Sequence, residues 1–502
     1  MRTSPTLPSL HVVQEHALLT PEVLHLLARL TGPLLAPRER SLAARAKARS
    51  RMAEGVLGRL ADTAHVREAE WTVDAAPPAL LERRVELVGG CSRADLVQGM
   101  NAGAKSYVAD LNALTGGDGL RAHALLARAA RRKLTHVDAE GEATRIRPGT
   151  DTRLLVALRP LSATESAVVV NGAPVPAGFL DLCLLLHTSA HELRRRQQGV
   201  HVVLRGVHGH LEARLWKTLF DEAEEALGLE RGTIRATVVV DNVACALEAD
   251  EVLFELMHHS AGLAMDPAGY VADHIALFSS PDRRPLPDRE HIGEDAPLLR
   301  ALAQDLLRVA HRRGAHLLGA PAWELPPTES LRTRRRYTAL LERIEAQAAL
   351  GLDGTWVAHP GLVSAALVEF NKHMPKAHQF HVVPAHEASV ASLVERPEGP
   401  ITVDGLLGLV RTALRALTSE GHHVVEGGRL HDRTSARLAV LLLWQWQHSE
   451  HGTITASGLE VHDDLLKYLV KKEATKLGGD HAAVCDTLLA DLLSPELPEL
   501  FA

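Results

Sequence analysis

Hydrophobic and polar positions follow different rhythms in different parts of this chain. Over the first 80 residues the rhythm is helical. Thr20-Pro21-Glu22 reads as a helix start, with Thr as N-cap and Pro in the first turn, and Leu24, Leu27 and Leu30 follow at helical spacing. Residues 37–62 are rich in Arg, Ala, Leu and Glu, which favour helix, and Pro77-Pro78 ends the pattern. From about residue 84, short apolar or β-branched runs alternate with stretches long enough for a helix. Eight runs stand out: Val85–Val88, Ser106–Leu111, Leu154–Leu158, Val200–Leu204, Ala236–Val240, His274–Phe278, Ala315–Gly319 and Thr355–His359. They are continuous rather than alternating, as strands covered on both faces should be. Eight strands alternating with helices predict an α/β chain folded as a (β/α)8 barrel, although an open doubly wound sheet gives the same alternation.

Residues 372–400 carry Pro375, Pro384 and Pro397 with weak periodicity and read as a linker. Helical spacing then returns over Val403–Thr418, Thr434–His448, Asp463–Leu477 and His481–Leu492. The expected organisation is an N-terminal helical segment over 1–83, the barrel over 84–371, the linker over 372–400 and a C-terminal helical segment over 401–502.

Composition narrows the function. Of 502 residues, 46% are hydrophobic and 23% charged with both signs mixed, which excludes wholesale disorder. The net charge of −7 makes general nucleic-acid binding a poor expectation. Arg194-Arg195-Arg196 and Arg334-Arg335-Arg336 read as solvated helix faces. Four widely spaced cysteines without a CxxC pair suit free thiols in a reducing compartment. No apolar run approaches the ~18 residues of a membrane span, and no leader is recognisable, so a cytoplasmic protein without membrane contact is expected. Histidine is unusual: 29 are present against 7 Phe, 6 Trp and 4 Tyr.

Barrels place chemistry at the C-terminal ends of their strands. There the third run ends in Arg159-Pro160, the fourth is followed by Arg205 and His208, the fifth ends in Asp241-Asn242, and the eighth ends in His359-Pro360. An arginine at such a position polarises a carbonyl or holds a carboxylate, or else pairs with a neighbouring acid. Asp241 is a candidate ligand or a helix cap. His359 reads as a backbone-bonding residue. Histidine pairs such as His187/His191 and His258-His259 lack a zinc motif, and no phosphate loop or nucleophile elbow occurs.

Several strings together resemble the malate synthases of the single-chain, glyoxylate-cycle type. They are Gly351-Leu352-Asp353-Gly354-Thr355-Trp356-Val357-Ala358-His359-Pro360-Gly361, Thr63-Ala64-His65-Val66-Arg67-Glu68 with Trp71, His210-Leu211-Glu212-Ala213-Arg214-Leu215-Trp216, Arg313-Gly314-Ala315-His316, and Leu443-Trp444-Gln445-Trp446. The resemblance implies a TIM barrel between an N-terminal helical clasp and a C-terminal helical plug. It implies a Claisen-type condensation of acetyl-CoA with glyoxylate, giving malate and CoA, aided by Mg2+. Asp432 matches the family's plug aspartate, the catalytic base, and Arg159 matches its arginine. Asp241 falls at the first metal ligand and Gly269 at the second. His431 and His208 stand where the family has Glu. The resemblance therefore carries two readings. One is a malate synthase with a rearranged site. The other is a homologue without the Mg2+-dependent reaction, either a non-catalytic binding protein or an enzyme of another acyl-CoA.

Overall fold

The computed structural model describes residues 8–114 and 117–501, so the first seven residues of the expected N-terminal segment lie outside the described residues. Eight parallel strands close into a barrel: β1 (Val85–Gly89), β2 (Ser106–Asp110), β3 (Arg153–Leu158), β4 (Val200–Leu204), β5 (Ile234–Val240), β6 (Ser260–Met265), β7 (Leu317–Ala322) and β8 (Gly354–Val357). Each strand pairs with the next in sequence, and β8 pairs with β1. The expected (β/α)8 barrel is present, and the open sheet is excluded by that closure.

One strand differs from the sequence reading. The sixth run, His274–Phe278, is the end of a helix, and the sixth strand is Ser260–Met265. Asp266 caps that helix by accepting a hydrogen bond from the Gly269 amide, and Pro267 opens its first turn. The true strand, Ser-Ala-Gly-Leu-Ala-Met, has no β-branched residue and hides from a propensity reading.

The helices that position the site are α1 (Pro21–Ala53), α2 (Ala177–Leu185), α3 (His210–Leu227), α4 (Pro267–Phe278), α5 (Val403–Thr418) and α6 (Arg433–His448). α1 runs unbroken for 33 residues through Pro33 and Pro37 and packs on α2, α3 and α4. α6 buries Leu438–Trp446 against α4 and α5. Both ends of the chain thus lean on the barrel.

The family-like strings build this frame. Asp353 accepts hydrogen bonds from the Leu317 amide (2.9 Å), the Gln379 amide (2.6 Å) and His311 Nε2 (3.0 Å). Trp356 lies inside the barrel with its indole N–H donating to Glu86 (3.0 Å). Arg313 is fully buried, pairs with Asp250 (2.7 Å) and lies 4.2 Å over the Trp71 ring. A Cβ on Gly354 would stand 1.9 Å from the Arg83 carbonyl oxygen, so only glycine lets β8 approach the chain ahead of β1. Gly354→Ala is expected to cost at least about 1–3 kcal/mol, the usual range for overpacking, read as a lower urea midpoint at unchanged slope.

Candidate active site at the barrel mouth

A hairpin from the C-terminal region closes the barrel mouth. Val424–Glu426 pairs with Arg429–His431, the Leu430 amide donates to the Trp323 carbonyl (2.7 Å), and Arg429 pairs with Glu324 (2.8 Å). The Leu430 side chain joins the core inside the barrel, beside Val88, Val203 and Trp356. Two residues on, Asp432 caps α6, its Oδ1 accepting from the Ser435 amide (2.8 Å). The apolar anchor at 430 therefore sets where the carboxylate at 432 stands.

Asp432 lines a cavity of about 270 Å3. The barrel contributes Asp110, Arg205, His208, Asp241, Gly269 and Asp273; α1 contributes Arg45 and Arg49, and α6 contributes Arg433 and Arg437. Arg205, directly after β4, is its central cation. Its Nη1 donates to Asp266 (2.6 Å), its Nε lies 3.9 Å from Asp110, and its guanidinium carbon sits 5.6 Å from the Trp356 ring centre. Burial works against the Asp110 charge, but Arg205, His422 and the Asn112 bonds outweigh it and keep the carboxyl below its ordinary value. Arg49 pairs with Asp273, and Arg45 lies 3.8 Å from Glu212. Burial lowers Arg45 and Arg437 below the usual guanidinium value, and Arg437 Nε has no hydrogen-bond partner among the described residues.

Arg159 stands elsewhere. It is buried against α2, donating to Asp181 from Nε (2.9 Å) and Nη2 (2.7 Å) and to Glu165 from Nη1 (2.8 Å). Burial disfavours the Asp181 charge, yet Arg159 and His123 more than offset it and hold the carboxyl at about 2. Arg159 is not among the residues lining the cavity, and two carboxylates neutralise it. Arg159, expected as the catalytic arginine, is held here by Asp181 and Glu165, and the strand-end arginine lining this cavity is Arg205.

Asp241 does reach the cavity, but its oxygens are engaged. Oδ2 accepts from the Gly206 amide (2.9 Å) and Oδ1 from Asn242 Nδ2 (2.8 Å). Burial, with Asp266 adding to it, raises its carboxyl above the ordinary value. A Cβ on Gly269 would lie 2.8 Å from the Asp241 Cβ, so the two positions are already in contact and no side chain fits between them. Asp266 gives Oδ1 to the Gly269 amide and Oδ2 to Arg205. Mg2+ is usually held by one or two protein carboxylates together with several waters in near-octahedral geometry. Among the described residues, the one grouping of three side chains close enough to hold a metal is Asp221, Glu224 and His259, none of which lines the cavity. With both Asp241 oxygens hydrogen-bonded and a glycine at position 269, the mouth lacks the pair of carboxylates expected for Mg2+.

Seven of the 29 histidines are buried. Burial, with nearby arginines, pulls His201, His208 and His431 down to about 3, and burial pulls His316 down to about 4. His431 Nδ1 accepts from Arg289 (3.1 Å) while Nε2 donates to the Glu426 carbonyl (3.2 Å), which fixes its tautomer. His359 accepts the Gly361 amide at Nδ1 and caps a short turn. Because these folded-state values lie below the unfolded value near 6.5, neutral burial stabilises the fold above about pH 6.5, and that stability is lost as pH falls toward 3. Each such histidine removes about 1.4 kcal/mol per pH unit in that window, so denaturant midpoints should fall steeply between about pH 6 and 5.

A second cavity, about 340 Å3, lies on the other face of the α4 start and the hairpin. Pro267 and Ala268 line it where Gly269 and Ala272 line the first, and Leu430 borders it where Asp432 borders the first. Its walls carry Trp323, Arg289, Arg336, Arg343 and Arg429, with Glu290, Glu294 and Glu324 among them.

A closed parallel barrel with a charged mouth, covered by a carboxylate-bearing hairpin, defines a TIM-barrel protein built to bind small ligands. A family model described as malate synthase, TIM barrel domain, matches residues 153–395. The chain is 33% identical to a malate synthase of Streptomyces clavuligerus, covering 96% of this chain and 92% of that one. It is 31% identical to a malate synthase of Myxococcus xanthus (92% and 87% covered) and 27% to malate synthase A of Escherichia coli (93% and 90%). Among solved structures it is similar to a Haloferax volcanii malate synthase in a pyruvate/acetyl-CoA ternary complex, at 14% identity and a TM-score of 0.47, with 82% and 98% covered. The chain belongs to the malate synthase family. No helix among the described residues is long and apolar enough to cross a membrane.

Proposed function

We propose that this protein condenses acetyl-CoA with glyoxylate to give malate and free CoA, with Asp432 as the base. The observation that carries the reading is the position of Asp432: a C-terminal helix start delivers its carboxylate into the same cavity as the strand-end residues Asp110, Arg205 and Asp241. The Asp432 carboxylate takes a proton from the acetyl methyl group. The resulting enolate carbon bonds to the aldehyde carbon, and the aldehyde oxygen becomes a hydroxyl on receiving a proton. Water then cleaves the thioester, releasing the CoA thiol and leaving a second carboxylate. Charge developing on the aldehyde oxygen is met by fixed guanidinium groups in a buried setting, where such stabilisation is strongest.

The second cavity, where four arginines and Trp323 stand among three glutamates, is the candidate site for the carrier end of the thioester, with the hairpin between the two ligands. Four cysteines, buried and unpaired among the described residues, support a cytoplasmic setting. The test is thiol release from acetyl-CoA on addition of glyoxylate, with malate identified as product. Release without malate would point to another aldehyde or acyl-CoA, and no release would remove the condensation.

A further inference from the structure

The cavity that should hold the small acid is lined by five arginines and four aspartates, and the second metal-ligand position of the family resemblance is a glycine. Arg45 and Arg49 reach it from α1, Arg205 from β4, and Arg433 and Arg437 from α6. Apart from Asp432, which caps α6, the carboxylates facing them accept hydrogen bonds. Asp241 accepts from the Gly206 amide and Asn242, Asp266 from Gly269 and Arg205, Asp273 from Arg49 and the Val243 amide, and Asp110 from Asn112. The second ligand position is a glycine whose Cβ site is filled by Asp241. A divalent cation placed here would have to strip these hydrogen bonds and sit among five guanidinium-bearing side chains. A carboxylate ligand meets the opposite field and a fork of donors that matches its two oxygens.

We propose that this barrel mouth binds its short oxo-carboxylate ligand without a divalent cation, Arg205, Arg45 and Arg437 supplying the positive charge in its place. The inference rests on the condensation reading for the identity of the acid, glyoxylate, and on geometry alone for its independence of metal. Arg205 is held rigidly by Asp266 and over Trp356, so its charge is present before the ligand arrives. Arg437 carries an unpartnered Nε at the same cavity.

The experiment is calorimetric titration of glyoxylate into the full chain, once after exhaustive treatment with a chelator and once with millimolar MgCl2. The expected dissociation constants agree within about twofold. Any saturable binding of MgCl2 or MnCl2, by heat or spin resonance, should be unaffected by Asp241→Asn, which leaves the Asp221, Glu224 and His259 grouping intact. Arg437→Gln should weaken glyoxylate binding by about tenfold at unchanged unfolding midpoint. Arg205→Met should weaken it further, and circular dichroism will show whether that variant folds. Glyoxylate binding that needs the metal, saturable metal binding at the mouth, or no glyoxylate binding under either condition would each overturn the proposal. Thiol release keeps the two readings apart. Metal-free binding without thiol release preserves this inference and removes the condensation. Thiol release that requires Mg2+ preserves the condensation and removes this inference.

Discussion

Asp432→Asn is expected to reduce glyoxylate-dependent thiol release from acetyl-CoA by about 10²–10⁴-fold, the range for loss of a positioned base. Its stability should stay within about 0.5 kcal/mol, because Asn caps a helix as well as Asp does and can still accept the Ser435 amide. That separates two roles the carboxylate plays at once. Asp432→Ala should lose the same activity and, in addition, about 1 kcal/mol through loss of the α6 cap. Stopped-assay thiol release with thermal unfolding on both variants reads the difference. Near-full release from the Asn variant would place the base elsewhere.

Arg159→Met is expected to destabilise the protein by about 3–5 kcal/mol, because it strands two buried carboxylates, Asp181 and Glu165, that now share one guanidinium. The effect should shrink when Asp181→Asn and Glu165→Gln are added, since the uncompensated charges are then gone. Glyoxylate binding by the folded fraction should be unchanged, as Arg159 does not line the cavity. Full stability combined with lost turnover would return this arginine to the chemistry.

Much of the frame was legible because it is written in local terms. Seven of the eight strand runs coincide with barrel strands, since each is a short β-branched or apolar stretch between helical periods. The sixth was misplaced because Ser260–Met265 has no branched residue, whereas the end of α4 has an apolar run without visible helical spacing. The mouth was legible in part. Asp432 and Asp241 do line it, but Arg159 does not, since a strand-end position says nothing of the acids that α2 and the strand over Thr164–Val170 bring from the side. Arg45 and Arg49 went unread, as did Arg433 and Arg437. Their signal was present: like charges four apart on one helix face repel, and such pairs call for counter-charge from outside the helix. The oddity of abundant histidine resolves differently from the sequence reading. His431 is buried and His208 half-buried, burial holds both well below the ordinary imidazole value, and both are engaged with backbone carbonyls, so they fill space where a charged residue would need a partner.

The 33-residue helix α1 has a consequence beyond packing. It brings Arg45 to a cavity that Arg437 and Phe501 also line, so the mouth is assembled from both ends of the chain across a barrel that lies between them. Contacts so distant in sequence carry a large loop-closure cost. A barrel folded without its flanks would keep Asp110, Arg205 and Asp241, yet offer a ligand only one wall of the cavity. The walls of the cavity are thus complete only when both flanks are in place around the barrel.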